Sequence, residues 1–314
     1  MANEKNVLIS LVVPAFNEEE NLPLFHEKCT DVLVGLEADY EIVFVDDGSV
    51  DGTLDVLKGL ASRDNTVMYL SLSRNFGHQA ALRAGLEHAR GDCVISIDAD
   101  LQHPPELIAE LVAKWRDGFE IVTTVRKDLE SLSYVRRAMS RIYYNMINAL
   151  NDFPIEPGSA DFRLLDRKVV DKVADLKEAN LFMRGLVPWL GFRACSIQYE
   201  PAARHRGTSK YNLAKLLGLA VTGVTSTSIR PLRISIFLSF IVAAFALIQG
   251  AYAFFSYFLL GQVVQGWTSV MLAISVIGAM QLFVLGLIGE YLGRVLTESL
   301  DRPPYIVRDS NIEG

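Results

Sequence analysis

The chain has 314 residues, half of them apolar, and a formal net charge of −7 at pH 7. An acidic balance argues against a nucleic-acid binder, whose phosphate partner calls for a basic surplus. Three scattered cysteines, Cys29, Cys93 and Cys195, argue against a disulfide frame or a zinc site and fit core thiols in a reducing compartment.

Met1 to Ser10 carries Glu4 and Lys5 and only a short apolar run before Pro14. That is not the pattern of a signal peptide, so the catalytic part is expected in the cytoplasm. Val7–Val13 then reads as a buried strand, and Glu19–Leu36 as a helix. Further strands are predicted at Glu41–Val45, Val67–Leu72, Cys93–Ile97 and Glu120–Thr124. Helices are predicted over Thr53–Arg63 and from about His78 and Pro105. Short apolar strands alternating with helices predict an α/β domain with a mostly parallel, Rossmann-like sheet covered on both faces.

In such sheets ligands bind beyond the carboxyl ends of the strands. Those ends carry Pro14-Ala-Phe-Asn-Glu18, Asp46-Asp-Gly-Ser49, Ser73-Arg-Asn-Phe-Gly77 and Asp98-Ala-Asp-Leu-Gln102 in turn. One acidic strand end could be a helix cap or a turn. Three acidic clusters on one edge repel unless a cation or donor groups offset them. Neither G-x-G-x-x-G after the first strand nor G-x-x-x-x-G-K-[ST] occurs, so the usual phosphate cradles are absent. Asp98 and Asp100, two residues apart, offer hard oxygen ligands suited to Mg²⁺ or Mn²⁺.

From about Tyr134 a helix is predicted that carries Arg136, Arg137, Ser140 and Arg141 beside apolar Met139, Ile142, Tyr143 and Met146. It reads either as a solvated basic face or as a phosphate site near a membrane. Leu213, Leu216, Leu217, Ala220 and Val224 recur at helical spacing. They fit an amphipathic helix in the interface, with a core helix as the competing view.

Beyond Arg230-Pro231 the composition changes. Ile234 to Gly289 contains no Asp, Glu, Lys, Arg or His. Two apolar runs there each reach the roughly 20 residues that cross a bilayer as a helix. Arg230 and Arg233 precede the first and Arg294 and Arg302 follow the second, which predicts a hairpin with both ends cytoplasmic. Gly286, Gly289 and Gly293 permit close helix contact, within the hairpin or in an oligomer. The expected organisation is a catalytic domain over 1–207 and an interfacial helix over 208–230. Two membrane helices, about 234–260 and 268–292, lie within 231–296, and a cytoplasmic tail covers 297–314.

Taken together, the ordered motifs resemble family 2 glycosyltransferases of the GT-A fold. The resemblance is to the polyprenyl-phosphate branch, the dolichol-phosphate mannose synthase-like enzymes and the bactoprenol glucosyltransferases. It rests also on Asp161-Phe-Arg-Leu164, Arg206-Gly-Thr-Ser-Lys-Tyr211 and Leu287-Ile-Gly-Glu-Tyr-Leu-Gly-Arg294. It implies inverting transfer of a hexose, glucose from UDP-glucose in the first instance, onto polyprenyl (undecaprenyl) phosphate at the cytoplasmic membrane face. Mannose or an amino sugar is the alternative donor.

The resemblance also implies roles. Pro14, Phe16, Glu18 and Asp47 would surround base and ribose, Asp98 and Asp100 would hold the metal, and Gln102 would lie next to the sugar. Arg126, on the loop after the fifth strand, and Lys210 would reach the donor phosphates. Arg126, Arg136, Ser140, Arg206, Ser209 and Lys210 would take the lipid phosphate. Asp161 is the family's candidate base. With an acceptor that is already an anion it is expected to orient groups instead, or to be a structural partner of Arg163. Asp100 and Arg206 complete the catalytic set, and the family and the glycine face suggest a homotetramer.

Two rivals are weaker. A processive polysaccharide synthase would show a Q-x-x-R-W pattern, and no Trp here follows an Arg. A non-catalytic membrane scaffold fits poorly with intact acidic motifs.

Overall fold

The computed structural model describes residues 7–127, 148, 158–176, 178, 183–200, 230–260 and 266–312. They divide into two units. One is built from residues up to Asn148, Phe153–Leu213 and Arg302–Gly314, the other from Ala149–Asp152 and Ala214–Asp301.

The first unit is a sheet with helices on both faces. Its strands are β1 (Leu8–Ala15), β2 (Asp39–Asp46), β3 (Val67–Leu72), β4 (Cys93–Ser96), β5 (Ile121–Arg126), β6 (Ser159–Asp166), β7 (Ala194–Tyr199) and β8 (Val307–Ser310). They lie in the order β7-β5-β6-β4-β1-β2-β3-β8. The central run β4-β1-β2-β3 is parallel throughout. β1 sits mid-sheet and is buried on both faces, which explains its continuous apolar run.

Helices α1 (Leu22–Val34), α2 (Thr53–Ala61) and α4 (Leu107–Arg116) cover one face. Leu22, Phe25, Cys29 and Leu33 of α1 form a stripe against Ile9, Leu11, Phe44 and Ile95. The other face carries α3 (His78–His88), α5 (Arg167–Ala174) and α6 (Met183–Trp189), with Leu82, Val169 and Met183 against Val12, Val43 and Val94.

Three strands were not foreseen, and they make the sheet more mixed than expected. β6 runs antiparallel between β4 and β5. β7 pairs parallel with β5. β8 adds antiparallel to β3, so part of the segment 297–314, expected as a tail, is instead an edge strand. Its bonds are specific: Asn311 accepts from the Tyr69 backbone N–H at 2.7 Å and donates to the Val67 carbonyl at 3.0 Å. Covering β3 in this way also shields an edge that would otherwise template pairing with another chain.

The described part of the second unit is two long helices, α7 (Arg230–Leu260) and α8 (Trp267–Ser299), which lie against one another. Both are long and apolar enough to cross a membrane. Of Ser239–Ser256 only 6% is buried within the described residues, and of Ala273–Ser299 none. The predicted interfacial helix 208–230 lies outside the described residues, apart from Arg230.

Candidate active site

Strand order reverses at β1, with β2 on one side and β4 on the other. The crevice beyond the carboxyl ends of β1 and β4 is where an open α/β sheet takes its ligands.

The loops after β1, β2 and β3 are stitched together around it. Asn17, at φ 56°, donates its backbone N–H to Ser49 Oγ at 2.9 Å and accepts from Val50 N–H at 3.0 Å. Glu18 N–H donates to Thr53 Oγ1 at 2.9 Å. Gly48 has φ 66°, and a Cβ there would come within 2.3 Å of the Arg74 carbonyl carbon, so only glycine allows these two loops to touch. Phe16 is left 43% exposed, an aromatic face open to solvent.

Two buried aspartates hold this arrangement. Asp46 accepts from Ser49 N–H at 2.9 Å and from Ser71 Oγ at 2.8 Å. Asp47 accepts from Phe76 N–H at 2.7 Å and Gly77 N–H at 2.9 Å, one on each oxygen. Burial raises the Asp47 pKa above the usual aspartate value, against the pull of those two donors. Its carboxylate therefore shapes the third loop.

The acidic turn after β4 reverses through Leu101, which takes the left-handed φ of 59°. Asp100 accepts from Gln102 N–H at 3.1 Å and from the Gln102 side-chain amide. Gln102 in turn accepts from Arg126 Nη2 at 3.2 Å. Arg126 is the last residue of β5 rather than part of the loop beyond it. Asp98 lies 3.2 Å from His103 Nε2 and 3.6 Å from His78 Nε2. Burial disfavours its charge, but the His103 hydrogen bond and the two imidazoles outweigh that and hold its pKa below the usual value.

Asp161 reaches the same crevice because β6 runs antiparallel to β4. Ser96 stands opposite Arg163, so Asp161 falls two residues nearer the carboxyl edge. Ser96 Oγ fixes the position by donating to the Asp161 carbonyl at 2.5 Å. One Asp161 oxygen pairs with the buried Arg163 guanidinium at 2.7 Å, the other lies 3.7 Å from His78. The anticipated Asp161–Arg163 pairing is thus present.

The structure brings together Glu18, Asp98, Asp100, Gln102, Arg126 and Asp161, with Pro14, Phe16 and Asp47 at the ends of β1 and β2. Arg136, Ser140, Arg206, Ser209 and Lys210 lie outside the described residues. Sequence reasoning missed His78, His103 and Tyr199. The two histidines had a signal in their positions, directly after Gly77 and Gln102; Tyr199 had none, because its strand was not anticipated.

The donor set fits a divalent cation. Among the described residues no three His, Cys, Asp or Glu side chains form an all-protein metal cage. Mg²⁺ commonly uses one or two carboxylates and completes its octahedron with phosphate oxygens and water. Asp98 and Asp100 are two carboxylates on the turn after β4. The accumulated charge is visible at Glu18, whose pKa is raised, first by burial and then by Asp100, Asp51 and Asp98.

Residues 10–174 match glycosyl transferase family 2. The chain belongs to that family. It is a glycosyltransferase, and residues 230–295 match a second pattern, the GtrB C-terminal hairpin. A bactoprenol glucosyl transferase of Shigella phage SfV is 40% identical over 96% of this chain and 98% of its own. An uncharacterized glycosyltransferase of Synechocystis sp. is 40% identical over 96% of this chain and 95% of its own. Mannosyl-3-phosphoglycerate synthase from Rubrobacter xylanophilus is similar in structure, with a TM-score of 0.47 at 19% identity, covering 72% of this chain and 74% of its own.

Proposed function

We propose that this glycosyltransferase moves a hexose, glucose from UDP-glucose, onto polyprenyl phosphate at the cytoplasmic face of a membrane, with Mg²⁺ or Mn²⁺ and with inversion. The observation that carries this reading is an acidic turn at the reversal point of the sheet. It occurs in a chain whose second unit is described by two exposed apolar helices and that is 40% identical to a bactoprenol glucosyl transferase.

In this reading the acceptor needs little activation. A phosphate monoester with a second pKa near 6 is largely dianionic at pH 7. One of its oxygens attacks the anomeric carbon as the bond to the nucleoside diphosphate breaks, and the leaving group departs with that electron pair. Asp98 and Asp100 would hold a divalent cation, which when bound would offset the charge that builds on the departing diphosphate. Phe16 supplies a face for the base, and Glu18 and Asp47 lie toward the ribose.

Arg126 holds Gln102 beside the sugar and offers a guanidinium to phosphate oxygens. Asp161, fixed by Arg163, orients the acceptor side rather than removing a proton. Arg136, Ser140, Arg206, Ser209 and Lys210 complete the phosphate sites. The work is positioning and electrostatics, since both reactants are anions.

The test incubates detergent-purified protein with Mg²⁺, polyprenyl phosphate and labelled UDP-glucose, GDP-mannose or UDP-N-acetylglucosamine. Label from UDP-glucose alone is expected in the organic phase, and should disappear with EDTA. Label from another donor would reassign the sugar, and no lipid-linked label would overturn the acceptor.

A further inference from the structure

The acidic turn is anchored from behind at two points, and the anchors converge. Asp100 is tied through Gln102 to Arg126. Asp98 is tied through His103 Nε2, at 3.2 Å, and His103 Nδ1 lies 2.7 Å from Tyr199 Oη. Arg126 and Tyr199 are register partners, the last residues of the parallel strands β5 and β7. Both aspartates are therefore referenced to one end of one strand pair.

The His103 link is built into the core. His103 is 4% exposed and Tyr199 5%, and the imidazole also lies against Phe162 with ring centroids 5.4 Å apart. An ionised carboxylate only accepts hydrogen bonds, so Nε2 donates to Asp98. Nδ1 shares a hydrogen bond with the Tyr199 hydroxyl, which can donate or accept, and this second bond fixes the ring orientation.

We propose that His103 and Tyr199 are positioning residues for the cation: the Tyr199–His103–Asp98 chain holds one Asp98 oxygen from behind and aims the carboxylate at the ion. This rests on the reading of Asp98 and Asp100 as its ligands. Outer partners of this kind keep a ligand in its binding rotamer before the ion arrives, and their loss costs about 10- to 100-fold in metal affinity or activity.

The test uses the full chain in detergent and Mn²⁺ alone, with free Mn²⁺ followed by electron paramagnetic resonance. Tyr199→Phe and His103→Phe remove the hydrogen bonds while keeping aromatic volume, and Asp100→Ala serves as the ligand control. Each of the two relay variants is expected to weaken Mn²⁺ binding by about 10-fold or more. In transfer assays the Mn²⁺ dependence should shift to match, while turnover at saturating Mn²⁺ stays within a few-fold of the parent. If His103→Phe fails to fold, Tyr199→Phe carries the test by itself.

A lower melting temperature with an unchanged Mn²⁺ constant would mean a purely structural role and would overturn the proposal. Should Asp100→Ala bind Mn²⁺ like the parent, the ligand assignment itself falls, and this inference with it.

Discussion

The two units hold similar side chains in opposite circumstances. In the sheet, Leu11, Val12, Val13 and Phe44 are fully buried within the chain. In α7 and α8, Phe240, Phe245, Leu247, Leu282 and Phe283 are all more than half exposed. Apolar residues leave water in either case, so the difference lies in what covers them: neighbouring strands and helices in one unit, something other than this chain in the other. A hydrophobic side chain in the first unit specifies a shape, whereas in the second it specifies a medium. The carboxylates proposed for the chemistry gather at the first unit's sheet edge.

The largest expected effect separates chemistry from fold. Asp100→Ala should lower transfer on the order of a thousandfold, the scale of several kcal/mol of lost charge stabilisation. Thermal unfolding should change little, because the turn is at the sheet's rim.

Next comes one substitution made in both regions. Phe44→Ala should cost about 3–5 kcal/mol of stability, as for other buried phenylalanines. Phe245→Ala, 59% exposed, should cost far less. Equal losses in detergent would mean that Phe245 is packed against protein and would dissolve the contrast.

A charge tests the medium directly. Phe245→Arg should disfavour insertion by about 2.5–3.5 kcal/mol, read as protein lost from the membrane fraction.

The smallest effects come from two glycines. At Gly85 a Cβ would meet Val12 Cγ1 at 2.3 Å, so Gly85→Ala should destabilise by about 1–3 kcal/mol. At Gly286 a Cβ meets nothing within 4 Å among the described residues, so Gly286→Ala should be neutral. A clear loss there, with a change in oligomer size by light scattering, would place another copy's helix against that face and support the homotetramer reading.

Much of the first unit was legible because its signals are local. β1 to β5 and the helices between them announce themselves by apolar runs and their interruptions, with ends off by up to three residues. Asp98 and Asp100 stand out because two carboxylates follow an apolar strand. What stayed hidden depends on pairing across the chain. β6 alternates buried Phe162 and Leu164 with Asp161 and Arg163, so half its signal is charged, and only the buried ion pair makes sense of it. β8 is short and carries Arg308 and Asp309, as edge strands do. The contact between His103 and Tyr199 spans nearly a hundred positions and exists only because β7 joins β5 in parallel.

The return of β8 to the sheet has a consequence for synthesis. A ribosome makes β3 early and β8 only after both long helices, so the growing chain carries a bare sheet edge until the hairpin has been completed. Unpaired edges of that kind invite association between nascent chains. Expression should thus depend on residues 300–314. A stop codon placed after Ser299 removes the strand that closes this edge, and would be expected to yield aggregated protein even though every residue discussed for transfer is still encoded.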